Sequence, residues 1–72
     1  MKQVFINKEP AELFRILKFE GLAASGGEAK HFISLGEVMV NGEVETRKRK
    51  KIVSGDTIEF AGETLQVVLE ET

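Results

Sequence analysis

The sequence predicts an α+β fold in which two packed helices lie on a small, mostly antiparallel sheet of four or five short strands. Apolar residues recur at helical spacing in the first half of the 72-residue chain, and after Gly36 the period shortens to the alternation of strands. The dipeptide Asn41-Gly42, set inside that alternating region, is the strongest short-range mark of a β-hairpin.

The first helix is expected over residues 10–20, with Leu13, Phe14, Ile16 and Leu17 facing inward, Pro10 in the first turn and Gly21 just past the end. Glu12, Arg15 and Lys18 then form its solvated side. Leu22, Ala23 and Ala24 lead to a second helix starting at Ser25. Ser25 and Glu28 have the spacing of a capping box, in which each side chain satisfies a backbone amide left free by the helix start. Ala29, Phe32 and Ile33 share one face of this helix, Lys30 and the exposed His31 point elsewhere, and Gly36 ends it in the left-handed conformation. Val38 and Val40 alternate with Glu37 and Met39; the Asn41-Gly42 turn needs positive φ at both residues, and a strand returns through Glu43, Val44 and Glu45. Ser54-Gly55-Asp56 reads as a turn, residues 57–60 as a strand, Ala61-Gly62 as a tight turn and residues 65–69 as the last strand, with a fraying tail at 70–72. The five phenylalanines, Phe5, Phe14, Phe19, Phe32 and Phe60, are assigned to the core rather than to base stacking.

One domain spanning residues 1–72 is expected, burying only roughly 60% of its unfolded surface. Roughly 3–5 kcal/mol from such a core leaves little to support a strained, water-excluding active site, so surface binding fits better. The chain has no Cys and a single His, His31, which excludes disulfides, thiolate metal sites and a His cluster. No nucleophile stands with a base and no cofactor motif is visible, so no catalytic residue, metal ligand or cofactor is assigned. The apolar start of the chain gives way at once to Asn7-Lys8-Glu9, too short for a signal peptide or a membrane span, and a soluble cytoplasmic monomer is expected.

Charge supplies the functional signal. Arg47, Lys48, Arg49, Lys50 and Lys51 hold half of the ten Lys and Arg, although the chain carries a net charge of −2. In an unbroken strand from Val44 to Ile52, Lys48 and Lys50 would share a face with both apolar residues and enter the core, which is too costly. The strand must therefore bulge or leave the sheet between Glu45 and Ile52, and the run projects as a loop or a twisted, solvent-facing ribbon. Like charges in sequence do nothing for folding; against a polyanion they release counterions. At the second helix, Ser25-Gly26-Gly27 offers amides to an anion, although capping and turn formation explain these residues without one. Lys30 widens any basic surface. The pairs Glu43/Glu45 and Glu70/Glu71 read as solvation of strand and tail.

Leu13, Leu17, Gly21, Leu22, Ser25, Ala29, Ile33 and Gly36, followed by Val38, Val40, Asn41, Gly42, Val53, Gly55, Asp56 and Ile58, resemble the S4 RNA-binding domain, whose small αL motif occurs in a ribosomal protein, some pseudouridine synthases and tyrosyl-tRNA synthetases. The combination spans about two thirds of the chain and is most similar to the small free-standing bacterial members. The resemblance implies an RNA-contacting surface formed by helix two and the hairpin, here Lys30, Asn41, Arg47, Lys48, Arg49, Lys50 and Lys51. The chain departs from the family where many members have Asp and it has Phe14, and where many have Arg and it has Gly26. The expectation is a non-enzymatic protein binding structured RNA, ribosomal or transfer, since exposed aromatics for single strands look scarce. The alternative is an adaptor docking an acidic protein partner, such as a ribosome-associated adaptor.

Overall fold

The computed structural model describes residues 1–70. In chain order the elements are β1 (Lys2–Ile6), β2 (Ala11–Glu12), α1 (Leu13–Phe19), α2 (Gly26–Ser34), β3 (Met39–Val40), β4 (Glu43–Val44), β5 (Lys51–Ile52), β6 (Thr57–Phe60) and β7 (Glu63–Leu69). Five strands form a sheet in the order β1-β7-β6-β3-β4, and β2 pairs with β5 as a small separate ribbon. All pairings are antiparallel except β1 with β7, which run parallel from Lys2 opposite Leu65 to Ile6 opposite Leu69. Helices and sheet share one core: Leu13, Ile16 and Leu17 of α1 and Ala29 and Ile33 of α2 are buried with Val38, Val40, Ile58, Leu65 and Val67.

Helix one is shorter than the expected 10–20. Ala11 and Glu12 are extended and pair with Ile52 and Lys51, so Pro10 precedes a strand instead of opening a helical turn. Helix two begins after Ser25, whose hydroxyl accepts from the Glu28 amide at 3.1 Å. The return bond differs from the expected box: the Glu28 carboxylate accepts from the amide of Ala24, one residue before the cap, at 2.9 Å.

β1 lies outside the expected elements because its partner stands at the far end of the chain. Its alternation turns Val4 and Ile6 inward and Phe5 outward, leaving Phe5 58% exposed. Phe19 is 88% exposed, six positions after Leu13 and outside the i, i+3, i+4 set that faces the sheet. The core assignment is thus corrected for these two residues. Phe14 and Phe60 are buried, and Phe32 packs on Phe60 with ring centroids 5.0 Å apart. Glu70 is held as well, its amide donating to the Ile6 carbonyl at 2.7 Å. The rest of the expected fraying tail, residues 71 and 72, lies outside the described residues.

The hairpin forms as expected, with Asn41 at φ 52° and Gly42 at φ 83°, pairing Val40 with Glu43 and Met39 with Val44. Val44 is 59% exposed and Ile52 is fully buried. The chain leaves the sheet after Val44, and when it pairs again, at Lys51, its partner is β2. The parity conflict is resolved by this change of partner.

Candidate nucleic-acid interface

Residues 45–50, between β4 and β5, carry the cationic run from Arg47 to Lys50, Lys51 being the first residue of β5, and the segment is held by backbone hydrogen bonds. The Glu45 amide donates to the Val38 carbonyl at 2.9 Å, and the Lys50 amide closes a turn onto the Arg47 carbonyl at 3.2 Å. A helix start leaves amides without intrahelical partners, and α1 has no side-chain cap. The turn fills that vacancy. Leu13 N–H donates to the Lys50 carbonyl at 2.9 Å and Phe14 N–H to the Lys48 carbonyl at 3.2 Å. Main-chain carbonyls of the basic run therefore cap α1 while most of its side chains face solvent: Arg47, Lys48, Arg49 and Lys51 are exposed and Lys50 is half-buried.

The five cations fall into two groups. Arg47 is clamped to Glu45, its Nε donating to Oε2 at 2.9 Å, its Nη2 to Oε1 at 3.0 Å and its backbone amide to Oε2 at 3.0 Å. Side-chain and then backbone hydrogen bonds from Arg47 hold the Glu45 carboxyl down to about 2. Glu45 is thus more than a solvating strand residue. Arg49 reaches Glu12 at 3.1 Å, and Arg15 donates to the same carboxylate at 2.8 Å. Desolvation pushes the Glu12 carboxyl up, but hydrogen bonds from Arg49 and Arg15 and their charges outweigh it, and the net shift is downward. Among the described residues, Lys48, Lys50 and Lys51 take part in no ion pair. The lysines are the uncommitted charges.

Lys30 comes from another element, α2, yet meets the turn through Phe14. Its ammonium lies 4.6 Å from the Phe14 ring centroid, with the Arg49 guanidinium carbon at 5.4 Å and that of Arg15 at 5.5 Å. A ring face attracts cations within about 6 Å. Phe14 thereby gathers charge from α1, α2 and the turn onto one patch. Gly26 abuts the same ring: a Cβ built there would stand 3.5 and 3.6 Å from two Phe14 carbons. The two departures from the family pattern, Phe14 and Gly26, are therefore neighbours in space. Arg15, read from sequence as helix solvation, belongs to this patch.

Asn41 is placed differently. Its Nδ2 donates to Asp56 Oδ1 at 3.1 Å, and its Oδ1 accepts from the Thr57 amide at 2.9 Å. Asp56 in turn accepts from the Val53 amide at 3.0 Å. The side chain ties the hairpin to the turn before β6 and makes no hydrogen bond to the basic segment. His31 is exposed as expected, and among the described residues no group of acidic or His side chains is arranged to hold a metal. No helix of the described residues is long and apolar enough to cross a membrane.

Known proteins resemble this chain over most of its length. The family model of the S4 domain matches residues 4–68. "Putative RNA-binding protein YbcJ" of Escherichia coli (strain K12) is 53% identical over 64 residues, covering 88% of this chain and 91% of the relative. "Probable ribosome maturation protein RlbA" of Bacillus subtilis (strain 168) is 39% identical over 59 residues, covering 82% and 83%. The solution structure of YbcJ from E. coli, described as revealing an "alfaL motif involved in RNA-binding", superposes with a TM-score of 0.72 at 51% identity, covering 94% of this chain and 87% of that one.

Proposed function

This chain belongs to the S4 domain family, and from that premise we propose that it binds structured RNA, ribosomal or transfer, without catalysing a reaction. Phosphates meet Lys48, Lys50 and Lys51 of the turn together with Lys30 of α2. The reading rests above all on the Phe14 ring, which brings Lys30 and Arg49 to one patch from elements far apart in sequence. The names of the two relatives, one RNA-binding and one of ribosome maturation, point the same way. The protein is proposed to act as a cytoplasmic monomer of one domain, with no cofactor.

Arg47 and Arg49 already have carboxylate partners, so the lysines dominate counterion release. Four such contacts on a duplex predict a slope of log K against log salt of about −3.6. Titration of a blunt RNA hairpin should show that slope, and Lys48→Ser, Lys50→Ser and Lys51→Ser made together should cut affinity at least about tenfold and flatten it. Salt-independent binding, or a triple variant that binds as the wild type does, would rule the reading out.

A further inference from the structure

Between β1 and α1 runs a groove of about 690 Å³, with Phe5, Pro10, Ile16 and Phe19 among its lining residues. Sites for small ligands fall in roughly the 300–1,000 Å³ range. β1 stands at the end of the sheet, so its outer edge has no strand partner among the described residues. Exposure of Phe5 at 58% and Phe19 at 88% brings two aromatic rings to a single groove. Folding gains little from aromatics left in water.

Charge around the groove indicates what it takes. Of its three lining carboxylates, Glu12 is engaged by Arg15 and Arg49 and Glu20 by Lys2 at 3.5 Å, while Glu70 takes part in no ion pair among the described residues. Two of its lysines, Lys8 and Lys51, take part in no ion pair among the described residues. Lys51 is also the last residue of the basic run, so the groove opens where the phosphate-binding turn ends. An uncharged peptide laid along β1 would gain main-chain hydrogen bonds but leave both ammonium groups without an anion. A nucleotide satisfies rings and lysines together, because every base has a face that stacks on an aromatic side chain and a phosphate beside it.

Resting on the RNA-binding reading, the geometry points to a second subsite: the groove takes an unpaired nucleotide that continues from the RNA held at the turn, its base against Phe5 and Phe19 and its phosphates met by Lys8 and Lys51. This extends the target from duplex alone to a duplex with an adjoining single strand. The aromatics that carry it are two of the five that the sequence assigns to the core.

The test compares a blunt RNA hairpin with the same hairpin bearing a short 3′ overhang that contains 2-aminopurine. Wild type should bind the overhang form about tenfold more tightly and quench the fluorescent base by stacking. Phe5→Ser with Phe19→Ser should abolish both the preference and the quench while leaving blunt-hairpin affinity unchanged, and Phe5→Tyr with Phe19→Tyr should retain them. An overhang that adds nothing for the wild type, or a serine variant that keeps the preference and the quench, overturns the subsite and leaves the proposed function standing. Failure of the wild type to bind either hairpin removes the proposed function and the subsite with it. A wild-type dimer that sediments as a monomer after the serine changes would make a second copy the occupant and overturn the proposal.

Discussion

Phe14 has two faces of work: it is only 8% exposed, so it belongs to the core, and its ring collects three cations. Each cation–π contact at a partly exposed site contributes ~0.5–1 kcal/mol, enough to favour one orientation of a long side chain over the alternatives. Phe14→Leu retains most of the apolar volume, at a cost of about 1.5 kcal/mol or less for such swaps, but removes the ring face. RNA affinity is expected to fall several-fold while urea unfolding shifts modestly, measured on the same preparation. An unchanged affinity would show that Lys30 and Arg49 need no platform. At this scale the sequence was legible where chemistry is local. Asn41-Gly42 demanded a left-handed turn and formed one, whereas the partners of the Asn41 side chain, Asp56 and Thr57, lie across a fold that periodicity does not reveal.

The connection from β4 to β5 is the element on which the interface depends. Its carbonyls cap α1, its Glu45 clamps Arg47, and its lysines remain uncommitted. The Glu45 carboxyl is held near 2 in the folded protein against an ordinary 4.5. A depressed folded-state value means stabilisation that is fully present above about pH 4.5 and is lost as pH falls through about 2. Arg47→Ala removes the largest cause of that shift, the side-chain hydrogen bonds, and keeps the backbone one. Urea midpoints of wild type and Arg47→Ala should therefore differ at pH 6 and converge as the pH is lowered toward 2. Parallel midpoints across that window would show that the clamp does not form in solution. Sequence parity required this segment to leave the sheet, because an unbroken strand would bury Lys48 and Lys50. It did not disclose that Lys50 and Lys48 would offer carbonyls to α1, since those bonds depend on how the helix and turn approach each other.

For the molecule as a whole, the margin of stability is small. A core of this size supplies roughly 3–5 kcal/mol, and full burial of one Val or Ile side chain is worth about 1.5–3 kcal/mol. β1 places Val4 and Ile6 in that core at 2% and 8% exposure, opposite Val67 and Leu69 of β7. Removal of residues 1–6 is therefore expected to unfold the domain at room temperature, with loss of the cooperative transition by circular dichroism. A truncated chain that unfolds cooperatively near the wild-type midpoint would show that the parallel pairing contributes little. At this scale, too, the net charge of −2 hides the functional asymmetry: Glu12 and Glu45 neutralise three arginines, and lysines face outward as a local cationic patch.

By itself the sequence determined both helices in outline, the turn at Asn41-Gly42, the antiparallel strands that follow, and the exclusion of the cationic run from the core. Each depends on interactions within a few residues or on the period of apolar side chains. Only the tertiary structure decided that α1 starts at Leu13, that β1 closes the sheet against β7, that Phe5 and Phe19 stay in water, and that Arg49 pairs with Glu12. Those outcomes turn on contacts between residues far apart in the chain, whose strength depends on geometry that neither composition nor spacing encodes.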